Sequence, residues 1–350
     1  MSLLKLALTT LTIWALSIAA AGLGDPADTL LDELAAYDPV ASDTGYTAAD
    51  DFAFWFTSVD GVATAVAGEG RLSDANVRFL GALLAVASSY GSDIAAPISD
   101  FFRTRAEDLN GAGTVPIQVV DYDLMATVSG AAPGQLEFSF APRRVSAALF
   151  PVATHAIGAA DAPYVIRVFS DFQCPFCANF AANIMPLVAG ELLSRDDVRF
   201  ELHHFPLRGI HPNANVAAEA SECVAAEAGE AGFWSFHDAL FAQQDRWANL
   251  PDPVATFAAI AEELSLPHEN LATCLRSGEF SELVEGAYRA ASEGLLLTGT
   301  PTVFLNGLKV GDYGAVENYL RLMRLSDALA SAGEQEKPAS EGEEGGAETP

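Results

Sequence analysis

The chain has 350 residues, half of them hydrophobic, with a mean hydropathy of +0.22. That is enough apolar material for two folded units and excludes a wholly disordered chain. Its 18 Lys+Arg against 47 Asp+Glu give a formal net charge of −29, a surface that repels phosphate backbones and argues against nucleic acid as a partner.

In chain order, residues 1–21 read as an export signal: Lys5, an apolar core, then the small residues Ala19-Ala20-Ala21. The alternative is an uncleaved anchor, because residues 6–23 form 18 uncharged positions, the lower limit for a span. Either reading puts the folded part outside the cytoplasm, periplasmic or otherwise extracytoplasmic. No later segment reads as long and apolar enough to span. Residues 22–49, acidic and without sustained periodicity, read as a linker. Residues 50–141 read as a small α+β accessory unit. Ser73 caps a helix carrying Val77, Leu80, Leu84 and Ala87 at helical steps, and a second helix runs from Pro97 to Leu109, closed by Asn110-Gly111. Strands are expected at 115–121 and 135–141. This unit holds no Cys or His and offers no catalytic constellation.

Residues 142–332 read as a second, α/β unit. An edge strand is expected near Val145–Val152, a buried strand at Tyr164–Phe169, a helix from Pro175 and a strand at Val198–His204. A helical block follows over about 213–294. Thr302–Leu305 and Leu308–Val310 then form a hairpin over Asn306-Gly307, and a helix occupies 314–332. Residues 333–350, with six Glu and no apolar anchor, read as a disordered acidic tail whose default role is solvation. Strand, helix, strand, helical block, hairpin, helix is the order of a thioredoxin-like fold with an inserted helical domain.

Four cysteines lie in this second unit. Cys174-Pro175-Phe176-Cys177 sits where a buried strand meets a helix, the setting of a redox dithiol. Unpaired N–H groups and the helix dipole favour a thiolate on Cys174. Pro175 suits the first helical position. Cys177, one turn on, can resolve a mixed disulfide on Cys174. Thr300-Pro301 precedes a strand; a cis Pro301 beside the dithiol would leave the Thr300 backbone to pair with an extended substrate, whereas a trans proline opening an edge strand is the plain alternative. Cys223 and Cys274 lack close partners, which argues against a Cys₄ zinc site and for a structural disulfide between them. No metal site is expected. His203 and His204, adjacent on a strand, face opposite ways and cannot easily share a metal. His211, His237 and the aromatic run around Phe233 read as packing.

Phe169–Cys177, His204–Leu207, His211-Pro212 and Gly299–Gly307 together resemble the DsbA-like thiol–disulfide oxidoreductases, over about residues 145–330. The resemblance implies a thioredoxin fold with a helical insertion, a cis Pro301, Cys174 as the exposed attacking sulfur, and a membrane redox partner. It implies nothing for residues 25–140. Two positions depart from the pattern. The acid that some members carry six residues before the first Cys is Val168, and Asp171 lies on the loop. Thr300 stands where the strongly oxidising type has Val, and Thr also occurs in the isomerase-like branch. The expected function is disulfide formation in unfolded or partly folded exported proteins, with no cofactor beyond the cysteines. The alternatives are an isomerase or reductase of the same fold, and a non-enzymatic binding or chaperone module in which Cys174–Cys177 is only structural.

Overall fold

The computed structural model describes residues 20–335. Of the expected signal or anchor at 1–21 and the expected tail at 333–350, residues 1–19 and 336–350 lie outside the described residues. Gly333–Gln335 do not belong to a tail; they continue the C-terminal helix, Val316–Gln335.

Residues 22–49 are not a linker. Helix α1 (Ala27–Glu33) buries Leu30, and Leu34 beside it is equally sealed. Strands β1 (Val40–Ser42) and β2 (Gly45–Ala48) then begin a sheet. The spacing of Leu30 and Leu34 carried this information, diluted by the acidic residues around it. The apolar run 6–23 also ends inside the fold. Leu23 is fully buried, its N–H donating to Ala87 O at 2.8 Å, so its last residues serve the core and not an anchor. Gly24 has φ +105°, and a Cβ there would meet Arg321 O at 2.6 Å. Only glycine lets this segment lie that close to the C-terminal helix.

Seven antiparallel strands form the first sheet, ordered β1-β2-β3-β4-β7-β6-β5. The additional members are β3 (Phe52–Val59), β4 (Val62–Arg71), β5 (Thr114–Val119), β6 (Tyr122–Ser129) and β7 (Gln135–Pro142). Sequence reading missed β3, β4 and β6, although Asp60-Gly61 is a hairpin signal and Phe52 and Phe54 alternate inward. Helices α2 (Asp74–Ser88) and α3 (Ser92–Leu109) cover this sheet, and Ser73 Oγ accepts from Asn76 N at 3.2 Å as the α2 cap.

The second sheet is ordered β12-β11-β9-β10-β8. Strands β9 (Tyr164–Ser170) and β10 (Val198–His204) are parallel. Strand β11 (Thr302–Leu305) runs antiparallel to β9 and pairs with β12 (Leu308–Lys309). The edge strand expected near 145–152 is absent; that stretch holds a short turn at Ala147–Leu149, and the edge is β8, His155–Ile157, antiparallel to β10. The helical insertion spans Ala214–Ala242, Val254–Glu263, Leu271–Ser277 and Ser281–Arg289, the long first helix kinking at Gly229. Within it Cys223 and Cys274 form a disulfide 51 residues apart. Loop entropy at that separation is worth up to about 4 kcal/mol. Replacing both by Ala is expected to lower unfolding stability by at most that amount, read from urea melts.

Pro175–Leu193 is long and apolar enough to cross a membrane, contrary to the expectation that no later segment is. In this fold it is the dithiol helix, and it buries Cys177, Phe180, Val188 and Leu192.

The two sheets share one core. The C-terminal helix packs against β3 and β4 on one side and β11 on the other. Arg321 Nη1 donates to Leu23 O at 2.8 Å and Arg324 Nε to Gly24 O at 3.0 Å. On the opposite side, Ser326 Oγ accepts from Asn306 Nδ2 at 3.0 Å and Asp327 accepts from Tyr164 Oη at 2.6 Å.

Candidate active site

The site stands at the C-terminal end of β9. Cys174 is the N-cap of the dithiol helix with extended backbone (φ −73°, ψ 124°), and Pro175 opens the helix. A proline there fixes φ and removes an N–H that would have no partner. Cys174 O accepts the first helical bond, from Ala178 N at 3.1 Å.

The structure brings together Cys174, Pro175, Phe176, Cys177, Thr300 and Pro301. The Thr300–Pro301 bond is cis. Cys174 Sγ donates to Thr300 O at 3.5 Å, and Cys177 Sγ accepts from Asp171 N at 3.5 Å. Cys174 is not the exposed sulfur that the resemblance implies. It is 3% exposed and Cys177 is sealed, while Phe176 between them stands 67% exposed. The loop before Pro301 lies against Cys174 through Thr300 O.

The two sulfurs have opposite electrostatics. A hydrogen bond from the Cys177 thiol holds Cys174 down to about 5. Burial works against this, and the Thr300 hydroxyl and the N–H groups of Cys177 and Phe176 add to it. The Thr300 hydroxyl is buried and, among the described residues, has no other partner, which leaves it to serve a thiolate. Burial, followed by the charge and hydrogen bond of Cys174, pushes the Cys177 thiol up. Tyr313 lines the hollow around Thr300 and Pro301, and burial, then the charges of both cysteines, push its phenol up.

The sign of the pH dependence follows. A depressed Cys174 stabilises the reduced fold fully above the ordinary thiol value of about 8.5, and this contribution is lost as pH falls through about 5. Alkylation of the reduced chain by iodoacetamide is therefore expected to have its midpoint near pH 5. A midpoint at the ordinary thiol value would mean that Cys174 is unperturbed.

Residues that sequence reading missed hold the dithiol loop. Gln173 Nε2 donates to Ala248 O and its Oε1 accepts from Asn213 N, both at 2.7 Å. Gln244 Nε2 reaches Phe172 O at 2.8 Å and Cys174 O at 3.2 Å. The insertion thus clamps the strand-to-helix turn. Only Gln173 was legible, by its place inside the motif; Asn213 and Gln244 are distant in sequence and carry no local signal. Asp171, fully buried, accepts from Gln173 N, Leu207 N and His211 Nδ1 at 2.7–2.8 Å. Its carboxylate anchors the loop, and only its backbone N–H meets a sulfur, that of Cys177.

His203 and His204 point to opposite faces of β10. His203 stacks on Phe169, with ring centroids 4.8 Å apart, and His204 Nε2 meets Glu222 at 2.7 Å. Glu222 also meets His155 Nε2 at 3.2 Å. Against the penalty of burial, these two histidines hold Glu222 down to about 2. His237 is buried among Phe172, Phe233 and Phe241.

Residues 151–323 match the family profile described as Thioredoxin. Over 161 residues the chain is 35% identical to the Na(+)/H(+) antiporter NhaA 3 of Salinispora tropica, a match covering 45% of this chain and 22% of that protein. It is 28% identical over 154 residues to disulfide bond formation protein D of Bacillus subtilis, covering 43% of this chain and 66% of that one. The chain thus spans less than a quarter of the antiporter relative and about two thirds of the Bacillus protein. A solved structure of BdbD from Bacillus subtilis has a TM-score of 0.45 at 23% identity, over 53% of this chain and 96% of that one. Strands β8–β12, the dithiol helix and the inserted helices all fall within or beside residues 151–323, so the segment that matches the Thioredoxin profile is the one that carries the thioredoxin-like fold.

Proposed function

We propose that the protein is an extracytoplasmic thiol–disulfide oxidoreductase that forms disulfides in unfolded or partly folded exported proteins. The carrying observation is the asymmetry of the dithiol: a Cys174 sulfur at a helix N-terminus with a depressed value, against a sealed Cys177 with a raised one. A structural disulfide needs no such difference.

In the oxidising direction a substrate thiolate attacks Cys174 Sγ of the Cys174–Cys177 disulfide. A substrate–Cys174 bond forms, the Cys174–Cys177 bond breaks, and Cys177 leaves as a thiolate that takes a proton. A second substrate thiolate then attacks the substrate sulfur of the mixed disulfide and releases Cys174 as a thiolate. The substrate loses two electrons and two protons, and the dithiol gains the electrons. A depressed Cys174 makes it a good leaving group and stabilises the reduced state, which favours this direction. Reoxidation falls to an electron acceptor in the membrane, as the resemblance implies; Pro175, Phe176, Thr300 and Pro301 form the substrate-facing surface around Cys174, with Cys177 sealed behind it.

The test is the reduction potential of Cys174–Cys177 against glutathione, with the Cys223→Ala/Cys274→Ala chain as control. A value near about −120 mV supports the oxidant; one at or below about −200 mV would overturn it in favour of the isomerase or reductase of the same fold. Thr300 before the proline keeps that second reading in play.

A further inference from the structure

The accessory unit meets the dithiol unit along a groove of about 800 Å³. One wall comes from the β5–β6 turn, Val120 and Asp121, and from Arg143 and Arg144 just after β7. The other comes from Leu295–Thr298, the segment that leads into Thr300-Pro301. Leu296, Leu297, Thr298 and Lys309 also line the hollow around Thr300 and Pro301, so the groove adjoins that hollow along these residues.

Two properties of this groove bear on what it could hold. The first is apolar exposure. Leu296 is 75% exposed at φ +55° and Val120 is 41% exposed at φ +52°. Left-handed backbone disfavours large and branched side chains, and solvent disfavours their exposure, so both positions are locally suboptimal for the free chain. Leu149, 56% exposed, adds a third apolar group along the same surface.

The second is charge. In a chain of net charge −29, this groove gathers Arg143, Arg144 and Lys309, one of only three lysines. Arg143 pairs with Asp123 and Lys309 with Asp121. Arg144 Nε donates to Asn306 O at 3.0 Å, and among the described residues Arg144 has no carboxylate partner. A guanidinium without a carboxylate, at the far end of an apolar groove, is complementary to an acidic side chain.

We propose that the accessory unit forms the second wall of the substrate groove, which takes an extended, cysteine-bearing peptide with apolar residues next to the cysteine and an acidic residue further along, received by Arg144. This rests on the function proposed above and deepens it. Asn306, the residue that holds Arg144, lies six positions beyond Thr300. At about 3.3 Å per extended residue, the acid belongs roughly four to six residues from the cysteine. The overall field of the protein opposes this preference, since a surface this acidic attracts cationic peptides. Selection of an acidic peptide would therefore be a property of the groove alone.

The experiment uses the oxidised full-length chain and two synthetic single-cysteine peptides. Both carry Leu and Ser around the cysteine; at the fifth and sixth positions on each side one has Glu and the other Lys. Second-order rate constants for mixed-disulfide formation are read by stopped flow at low and high salt, and the reaction with dithiothreitol is measured separately. The Glu peptide is expected to react about fivefold or more faster at low salt, with the advantage shrinking at high salt. Arg144→Glu is expected to reverse the order, and Arg144→Gln, which disturbs the Asn306 contact less, to remove most of the difference. A faster Lys peptide on the unaltered chain, or a Glu preference that survives both variants, would overturn the proposal. A chain inert to dithiothreitol would instead sink the redox function, and this inference with it.

Discussion

Cys174→Ser is expected to lower the rate of exchange with a model dithiol by at least a hundredfold. At neutral pH Cys174, with its value held near 5, is almost wholly thiolate, while Cys177 is sealed and pushed up, so only a small fraction of it is ionised. Because the thiolate is the reactive species, ionisation alone separates the two sulfurs by on the order of 10². Cys177→Ser should behave differently. The first attack on a substrate disulfide is retained, but no resolving thiol follows, and mixed disulfides through Cys174 should accumulate on non-reducing gels. Reversal of these phenotypes would exchange the roles of the two residues. If both variants lost stability and neither parent nor variant exchanged thiols, the non-enzymatic alternative would stand.

The second large effect concerns the joint between the two units. Leu325 is fully buried in the C-terminal helix, against Gly24 on the accessory side. Truncating such a side chain removes packing and leaves a cavity, so Leu325→Ala is expected to cost about 2–5 kcal/mol. Because the helix lies on both sheets, the loss should fall on both. Trp55 reports on the first sheet, Trp234 and Trp247 on the inserted helices. With one tryptophan region retained at a time, urea unfolding should give coincident midpoints, shifted together by Leu325→Ala. Separate transitions, with only one displaced, would show two independently folding units instead. The expected coupling also predicts that residues 142–335 expressed alone would expose the face of the helix that now packs on β3 and β4.

Where local chemistry repeats a known physical demand, the site was legible in the amino-acid order. Proline after the first cysteine marks a helix start, a three-residue spacing puts Cys177 about one turn on, and Asn306-Gly307 marks a hairpin. All three arise from backbone sterics that act within a few residues. Strands β9 and β10 were equally plain, because a buried parallel strand is a continuous apolar run. Strands β3, β4 and β6 were missed because large residues such as Trp55 and Met125 on their outer faces, and small ones along β4, blur the inward alternation.

What the sequence by itself determined is thus the dithiol, its orientation on a helix and the thioredoxin-like order of elements around it. Only the tertiary structure decided that residues 22–49 are folded, that Gln173, Asn213 and Gln244 clamp the active loop, that Cys174 is covered, and that the accessory unit shares a core with the dithiol unit. Those outcomes depend on side chains brought together from distant parts of the chain. Burial and hydrogen bonding reward such contacts only after the chain has closed, and no short window of sequence contains both partners.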